Sequence, residues 1–484
     1  MMTAIELIWT AFAQFLLLIS IVMLVLLSSC SVIDEDFSGC HSDGRQTPDG
    51  AIAFSVTDGD STVRGTSRTP VGTVTLDGSG STQSLRATGF GVFACHTGNH
   101  PYASSTVTSN FMWNQQVSYE SGNKVWGYSP VKYWPSDENG NVEYVTFFAY
   151  APFSSADGSN NASSCITDFS TTTEEGDPWL IYQLGGTETD WKSKQVDLLY
   201  AFSKDKHNDT ETPTVGLNFR HALACAGDQI EIALSDELQS RLKAEAGAVG
   251  GEVTLTMTSM ELDYTLLRKG RLVLNGNDQP NWQAVSSENP MVHRQLTIDG
   301  PMTLASATSS SVTADNPVMS TSGNGVFYIP LNLAGNTQTL NVNVAYRVTT
   351  GATTLYSGSM TRDIPLTIAG MNSKSRNMNV LFSGEIPGVT LTKGGSALYS
   401  SMEINVGDPA ATVTASVHPS ELVLNWTNSN DAVATIASAD GGGTRGEAFT
   451  ARSIKVTPVA VGTTTVTAVA TDGSVMATFD VTVK

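Results

Sequence analysis

Side chains that could do chemistry are few in this sequence, and none stands at the spacing of a known reactive site. Cys95-His96 and His100 could offer soft metal ligands, but their spacing matches no standard site. The acidic segment Asp137–Asn141 could contact a calcium ion, yet a bare acidic turn needs no ion to form. His221 has no identifiable nucleophile or carboxylate partner, which favours a structural histidine over a general base.

The motifs of the common enzyme classes are also absent from the sequence. It contains no G-x-S-x-G, no H-E-x-x-H, no phosphate-binding P-loop and no complete calcium-binding loop. A hidden carboxylate pair for glycoside hydrolysis stays open as an alternative, although nothing in the sequence points to one. We therefore expect a protein that is not an enzyme, with no catalytic residues, no metal and no cofactor.

Charge and composition limit the classes of partner. The chain carries 26 Lys and Arg against 46 Asp and Glu, a formal net charge of −20. An acidic surface repels phosphate backbones and anionic membranes, so we expect no nucleic acid among the partners. Charged residues are few, at 15%, while Thr, Ser, Gly, Asn and Val are abundant. This composition is typical of an all-β extracellular protein.

The N-terminus indicates export. Phe15–Leu27 is an apolar run that leads into Ser28-Ser29-Cys30, and such a run before small residues predicts a signal peptide over residues 1–29. The motif resembles the lipobox of bacterial lipoproteins, and that resemblance makes Cys30 the lipidated first residue of the mature chain. The alternative is an uncleaved membrane helix from about Ile5 to Leu27, against which the polar Glu6 and Gln14 count.

The segment after Cys30 is predicted to be a polar tether, over residues 30–50. It contains the acidic cluster Asp34-Glu35-Asp36, which resembles the signal that sends some Gram-negative lipoproteins to the outer face of the outer membrane. The alternative is a solvated tether that carries no sorting signal, because short charge runs are common. We therefore expect a lipid-anchored protein at the cell surface, in the outer membrane.

Four further cysteines are scattered along the chain. Cys40, Cys95, Cys165 and Cys225 form no C-x-x-C pair and no metal-ligand spacing. Export permits disulfides, and the sequence leaves their pairing open. Cys95 and Cys225 lie among apolar residues, which favours buried thiols at these two positions.

Hydrophobic periodicity predicts strands almost throughout. Residues alternate between apolar and polar from Leu340 to Val348 and again from Val475 to Val483, as expected for strands with one buried face. One helix is predicted over Ser235–Ala246, capped by Ser235 or Asp236 and ended by Gly247. At about 150 residues per domain, the length suggests about three domains, which we place at residues 51–214, 215–387 and 388–484.

Several aromatic phrases give the first two blocks a family resemblance. They occur in the order Gly89–Ala94, Asn110–Asn114, Trp126–Pro135, Phe147–Pro152 and Phe219–Ala224. In that order they resemble the fimbrillin-like family of surface lipoproteins and type V pilus subunits, from about Ala51 to Phe382. The resemblance implies two tandem transthyretin-like β-sandwiches. We expect Trp126, Tyr133, Trp134, Phe147 and Tyr150 to pack in the core, the alternative being an aromatic platform that binds glycans.

The last block resembles a different module. The phrases Trp426–Ile436 and Val461–Ala468 are similar to those of group 2 bacterial immunoglobulin-like domains, which implies an Ig-like β-sandwich over residues 388–484 with Trp426 in its core. The Gly-rich segment Asp440–Glu447 departs from the family pattern, which usually turns tightly there.

The fimbrillin resemblance implies a mechanism. Many such subunits are cut after an arginine, which removes the first strand and opens a groove that a strand of the next subunit fills. The matching residues here are Arg64 and Arg68, with Arg45 and Arg86 as weaker candidates. Ordinary loop arginines are the alternative.

The C-terminal block affects the role that we expect. In stalk subunits the donor strand lies at the C-terminus, whereas this chain ends in the Ig-like block. The sequence therefore favours a tip, anchor or accessory pilus subunit, or an adhesin, with other subunits or surface proteins as partners through β-strand donation. A glycan-binding lipoprotein of a nutrient-uptake system is the alternative function.

Overall fold

The computed structural model describes most of the chain after its N-terminal segment. The described residues are 50–58, 74–77, 83–104, 106–136, 141–155, 165–208, 214–285, 290–315, 318–320, 325–331, 333, 337–366, 375–382, 386–439 and 449–484. The signal peptide and tether, with Cys30, Cys40, Asp34, Glu35 and Asp36, therefore lie outside the described residues. Within these ranges, none of the helices has the length and apolar character needed to cross a membrane.

The first third of the described chain contains eleven strands, seven of which build a closed sheet. Its strands are β1 (Ala53–Asp58), β2 (Val74–Thr75), β3 (Gln83–Ser84), β4 (Phe90–Gly98), β5 (Met112–Glu120), β6 (Val125–Gly127), β7 (Tyr144–Ala151), β8 (Ile166–Phe169), β9 (Trp179–Gln183), β10 (Leu199–Lys206) and β11 (Thr214–His221). Hydrogen bonds join the strands in the order β1-β11-β10-β7-β4-β5-β6, and β6 pairs back to β1. The short helices α1 (Leu85–Thr88) and α2 (Trp191–Lys194) lie in this part of the chain.

The middle third forms a second layered region. Its strands are β12 (Ala224–Leu234), β13 (Val253–Leu267), β14 (Lys269–Val273), β15 (Asn281–Gln283), β16 (Met291–Ala307), β17 (Val312–Ala314), β18 (Val318–Ser320), β19 (Val326–Tyr328), β20 (Thr339–Thr350), β21 (Thr353–Pro365) and β22 (Ser375–Phe382). Strands β18, β12, β19 and β22 form one sheet, and β17-β16-β13-β20-β21 begin another. A third sheet, β15-β14-β9-β8, joins strands from the first and middle thirds.

The last third adds two layers and extends a sheet of the middle region. Its strands are β23 (Gly388–Lys393), β24 (Ser396–Ala397), β25 (Ser401–Ile404), β26 (Ala411–His418), β27 (Leu424–Asn428), β28 (Ala434–Ser438), β29 (Phe449–Thr450), β30 (Ser453–Pro458), β31 (Gly462–Ala470) and β32 (Val475–Val483). One layer has the order β24-β23-β26-β30-β28. The other, β32-β31-β27-β29, is hydrogen-bonded through β32 to β21.

These sheets confirm the all-β fold class that the alternation predicts. Buried side chains alternate along β20 and β32 as the sequence indicates, and Trp426 is fully buried between the two layers of the last third. The domain limits remain a prediction, because residues 50–484 form a single compact unit and the sheets cross the predicted limits. In particular, β11 pairs with β1 and β10 of the first sheet.

The predicted helix is present but longer than expected. Helix α3 runs over Asp236–Val249, and the Ser235 hydroxyl accepts a hydrogen bond from the Leu238 amide as an N-cap. The prediction that Gly247 ends it is wrong. Helical geometry passes through Gly247, and Gly250 provides the left-handed residue at φ 66°, where its amide reaches the carbonyls of Ala246 and Gly247.

One of the five aromatic residues predicted in the core is exposed instead. Phe147 and Tyr150 are fully buried, and Trp126 and Trp134 pack partly buried against the core of the first sheet. Tyr133, however, is 52% exposed, so the prediction is wrong for this residue. Tyr133 lies outside the named strands, in an isolated bridge to Ala51, so it has no sheet face that would direct its ring inward.

Candidate strand-exchange site

Strand β1 closes the first sheet, since it pairs with β11 on one edge and with β6 on the other. It runs parallel to β11 over six pairs, from Ala53 opposite Thr214 to Asp58 opposite Phe219. On its other edge it meets β6 through one antiparallel pair, Phe54 opposite Trp126. Few hydrogen-bonded pairs therefore join β1 to β6, and its main partner is a strand distant in sequence.

Side-chain packing holds β1 in the sheet in addition to its hydrogen-bonded pairs with β11 and β6. Alternating residues point inward, so that Ile52 and Phe54 are buried and Val56 is half-buried. The Phe54 ring lies edge-on to Phe90 and Phe147, at centroid distances of 6.0 and 5.7 Å. Aromatic pairs with this geometry contribute about 0.5–1.5 kcal/mol beyond the area that they bury. Phe54 is the central anchor of the strand.

Polar contacts fix the start of the strand. The Tyr128 hydroxyl donates to the Ile52 carbonyl at 2.9 Å, and its ring lies 5.6 Å from that of Phe54. The Ile52 amide donates to the Lys132 carbonyl at 3.0 Å, and the Trp134 amide donates to the Gly50 carbonyl at 3.0 Å. Burial raises the pKa of Tyr128, which keeps its hydroxyl protonated as the donor.

Around β1 the sheet offers a continuous apolar trench. The β11 residues Val215, Leu217 and Phe219 are buried in the same cluster as Phe54 and Phe90. Without β1, the inner faces of these residues and the outward-pointing backbone groups of β11 would meet water. Such an edge binds an extended strand that offers both a backbone and alternating apolar side chains.

The predicted cleavage residues fall just beyond β1. Arg64 and Arg68 belong to residues 59–73, which lie outside the described residues, as does Arg45. The chain is described again at Val74, whose amide donates to the Asp197 carboxylate at 3.4 Å. Cleavage at Arg64 or Arg68 would therefore separate β1 from a segment that has its own contact with the sheet.

Arg86, the weaker candidate, is held in folded structure. It lies in α1, forms an ion pair with Asp77 at 2.5 Å and stacks over the Tyr119 ring at 4.7 Å. Ser84 caps the helix by accepting from the Ala87 amide. Proteases bind an extended substrate, so this geometry disfavours cleavage after Arg86.

The structure describes most of the side chains that could have done chemistry. Cys95, Cys165 and Cys225 are buried thiols, and burial raises the pKa of Cys95 to about 12, which makes its thiolate inaccessible at neutral pH. His96 contacts Glu143 at 2.8 Å. In the described ranges no cluster of three His, Cys, Asp or Glu could hold a metal. The calcium candidate Asp137–Asn141 lies outside those ranges except for Asn141.

His221 has a carboxylate partner that the sequence did not reveal. Its Nδ1 lies 2.5 Å from the buried Asp197 carboxylate, which also accepts from the Leu198 and Val74 amides. These backbone donors explain how a buried carboxylate is satisfied without a catalytic role. The residues around Asp197 gave no signal of the pair, because Asp197 lies in the segment before β10 and His221 lies at the end of β11.

Comparison with known proteins relates this chain to one family. The fimbrillin-like family model matches residues 81–392, more than half of the chain. No curated protein matches the sequence. Among solved structures, a fimbrial protein from Bacteroides vulgatus is 19% identical, with 69% of this chain and 94% of that chain covered and a TM-score of 0.44.

Two further structures are similar at lower identity. A candidate cell adhesion protein from Bacteroides ovatus is 14% identical over 76% of this chain and 96% of that chain, with a TM-score of 0.31. The fimbrial anchor protein Mfa2 from Porphyromonas gingivalis is 9% identical over 76% of this chain and 98% of that chain, with a TM-score of 0.27. The sequence match over residues 81–392 carries the assignment: this chain belongs to the fimbrillin-like family.

Proposed function

We propose that this protein is a cell-surface, pilus-associated subunit or adhesin that works through protein–protein contacts, including strand exchange at the β1 position. Membership of the fimbrillin-like family supports the pilus association. The observation that supports strand exchange is the geometry of β1, a strand with one main hydrogen-bonded partner and its largest side chain in an aromatic trench. No step of this role requires catalysis.

Cleavage between β1 and Val74 would turn that geometry into a binding site. A cut after Arg64 or Arg68 leaves β1 held by its six pairs with β11 and by Ile52, Phe54 and Val56. Because these contacts are then intermolecular, a donated strand with the same apolar alternation can compete for them. The partner would be another pilus subunit or surface protein that supplies such a strand.

We further propose that the chain is anchored through its N-terminus. Lipidation of Cys30 would tie it to the outer membrane, and Asp34, Glu35 and Asp36 would direct it to the outer face. The region after residue 392, beyond the part that the family model matches, supports a tip, anchor or accessory position over the stalk.

The first experiment is mass spectrometry of the N-terminal peptide of the mature protein from cells. A start at Gly65 or Thr69 supports strand exchange, whereas a lipidated Cys30 with no shorter form supports an anchor or adhesin that keeps β1. Arg64→Ala with Arg68→Ala should abolish the shorter form, and Arg86→Ala should leave it unchanged. A shorter form that persists in the double variant would refute cleavage at these residues.

A second experiment concerns the last third of the chain. Deletion of residues 388–484 should abolish cell adhesion or incorporation into pili, if that region contributes to the adhesive role. Cys30→Ala, which should release the chain from the membrane, separates loss of anchoring from loss of adhesion. If the deletion leaves both adhesion and incorporation intact, the adhesive role of this region is wrong.

A further inference from the structure

Strand β1 fills its trench unevenly along its length. Its inward side chains are, in order, Ile52, Phe54 and Val56. Ile52 is 1% exposed and Phe54 is 5% exposed, whereas Val56 is only half-buried. The ring contacts and the polar contacts described above belong to Phe54 and Ile52. The trench is therefore least well filled at its Val56 end.

A small cavity of about 10 Å³ lies beside Val56. Apart from Thr57 and Thr75, the described side chains that line it are apolar, namely Val56, Val74, Leu76, Leu85, Leu199 and Phe219. A cavity of this size is about the smallest that holds one water-sized group, and a water also needs about two to four polar partners. A methyl group therefore suits this cavity better than a water does.

Hydrogen bonds that do not involve β1 hold part of the cavity wall in place. The Val74 amide donates to the Asp197 carboxylate at 3.4 Å, and the Arg86 amide donates to the Leu76 carbonyl at 3.2 Å. The Ser84 hydroxyl also donates to the Leu76 carbonyl, at 3.3 Å. A wall held in this way resists moving in to close the gap, and an unfilled gap lowers stability. The same bonds remain if another strand takes the place of β1.

A slightly larger side chain at the Val56 position would fill the gap. Isoleucine, leucine and methionine each carry one more heavy atom than valine. Burial of one further methylene raises the affinity of a bound strand by about fourfold. The native residue therefore leaves room for a strand that binds more tightly than β1 does.

We propose that the β1 position prefers a strand of a partner subunit whose inward residues are, in order, an apolar residue, an aromatic residue and an isoleucine, leucine or methionine. This inference rests on the strand exchange proposed above and adds which strand displaces β1. Such a strand makes the same pairs with β11 and the same ring contacts as Phe54, and it also fills the cavity beside Val56. After cleavage both strands compete for one trench, so exchange runs towards the partner strand.

The first test measures the cavity in the uncut full chain. Val56→Ile should shift the midpoint of chemical denaturation to a higher denaturant concentration, because it buries one more methylene. Val56→Leu places the extra carbon on a different branch and serves as the second variant. Ser55→Thr is the matched control, since it adds a methyl group to the outer face of the same strand and should leave the midpoint nearly unchanged. If neither Val56 variant had a higher midpoint than the wild type, the proposal would be overturned.

The second test measures the preference in a chain cut at a protease site inserted within residues 59–73. The cut chain is equilibrated with an excess of two peptides of residues 50–58 in equal amounts, one native and one with Val56→Ile, and native mass spectrometry measures the ratio of the complexes. The Val56→Ile peptide should be bound about fourfold more than the native one, and a Ser55→Thr peptide should be bound equally.

The outcomes of the second test separate this inference from strand exchange itself. Uptake of the native and Val56→Ile peptides in equal amounts would overturn the inference and leave strand exchange standing. Uptake of neither peptide would overturn strand exchange, and this inference with it.

Discussion

Two places in this molecule show a strand completing a sheet, and they do so by different means. At β1, the contacts are a backbone ladder and an apolar trench around Phe54. At the seam between β21 and β32, only two residue pairs join the strands, and the neighbouring Tyr356 belongs to a buried polar network. Apolar contacts accept any strand of suitable pattern, whereas a polar network is satisfied only by its own members.

The network at the seam links helix α3 to the junction between the middle and last thirds. The Tyr356 hydroxyl lies 2.9 and 3.0 Å from the two Glu245 carboxylate oxygens, and Arg241 lies 3.5 Å from the same carboxylate. Arg241 also donates to the Ile386 carbonyl at 2.6 Å, and Tyr346 donates to the Pro387 carbonyl. These hydrogen bonds fix the junction to helix α3. They indicate that β32 is a permanent part of the sheet and not a strand that another chain could replace.

The largest effect is expected from emptying the aromatic trench. Phe54→Ala should lower the free energy of unfolding of the first sheet by about 3–5 kcal/mol, because it leaves a cavity among Phe90, Phe147 and Tyr128. Ser55→Ala, on the neighbouring strand position, should change it by less than about 0.5 kcal/mol. Chemical denaturation measures both. A loss for Phe54→Ala no larger than that for Ser55→Ala would mean that β1 is not held by its side chains.

A smaller effect is expected at the seam. Tyr356→Phe removes the hydroxyl that contacts Glu245 and should cost about 1–3 kcal/mol, because a buried carboxylate loses a hydrogen bond. Tyr399→Phe, whose hydroxyl donates to the Ala248 carbonyl nearer the surface, should cost less. Denaturation of the two variants compares them. If Tyr399→Phe proved the more costly, the buried network would not be what holds the junction.

The smallest effect is a dependence on pH. Burial raises the pKa of Glu245 above its ordinary value of 4.5, against the opposing influence of Arg241 and Tyr356. The folded state therefore holds this proton to a higher pH than the unfolded state, and its contribution to stability falls as the pH rises from about 4.5 through the raised pKa. Glu245→Gln should flatten the dependence of Tm on pH in that window. An identical slope in the variant would contradict the assignment.

Local patterns predicted individual elements well. Alternation located β20 and β32, and the position of Ser235 located the start of α3. The end of α3 was missed because a glycine inside a helix costs only about 1 kcal/mol, which the burial of Leu238, Leu242 and Ala246 can offset. Tyr133 was missed because the pattern of aromatic residues does not show which of them lie outside the strands, as Tyr133 does.

Pairing between distant segments could not be predicted. The parallel pairing of β1 with β11 and the seam of β21 with β32 join residues more than a hundred positions apart, and no local signal encodes such register. Asp197 was missed as the partner of His221 for the same reason. The trench residue Phe54 could have been found, since apolar Ile52, Phe54 and Val56 stand at alternate positions in the sequence.

The most direct test of the account is whether β1 can be exchanged. A chain with a specific protease site inserted within residues 59–73 is cut and mixed with an excess of isotope-labelled peptide of residues 50–58, and native mass spectrometry follows uptake. The account predicts that the cut chain takes up the labelled peptide, that the uncut chain does not, and that a peptide with Phe54→Ala competes poorly. A cut chain that keeps its own strand and takes up no label would contradict it.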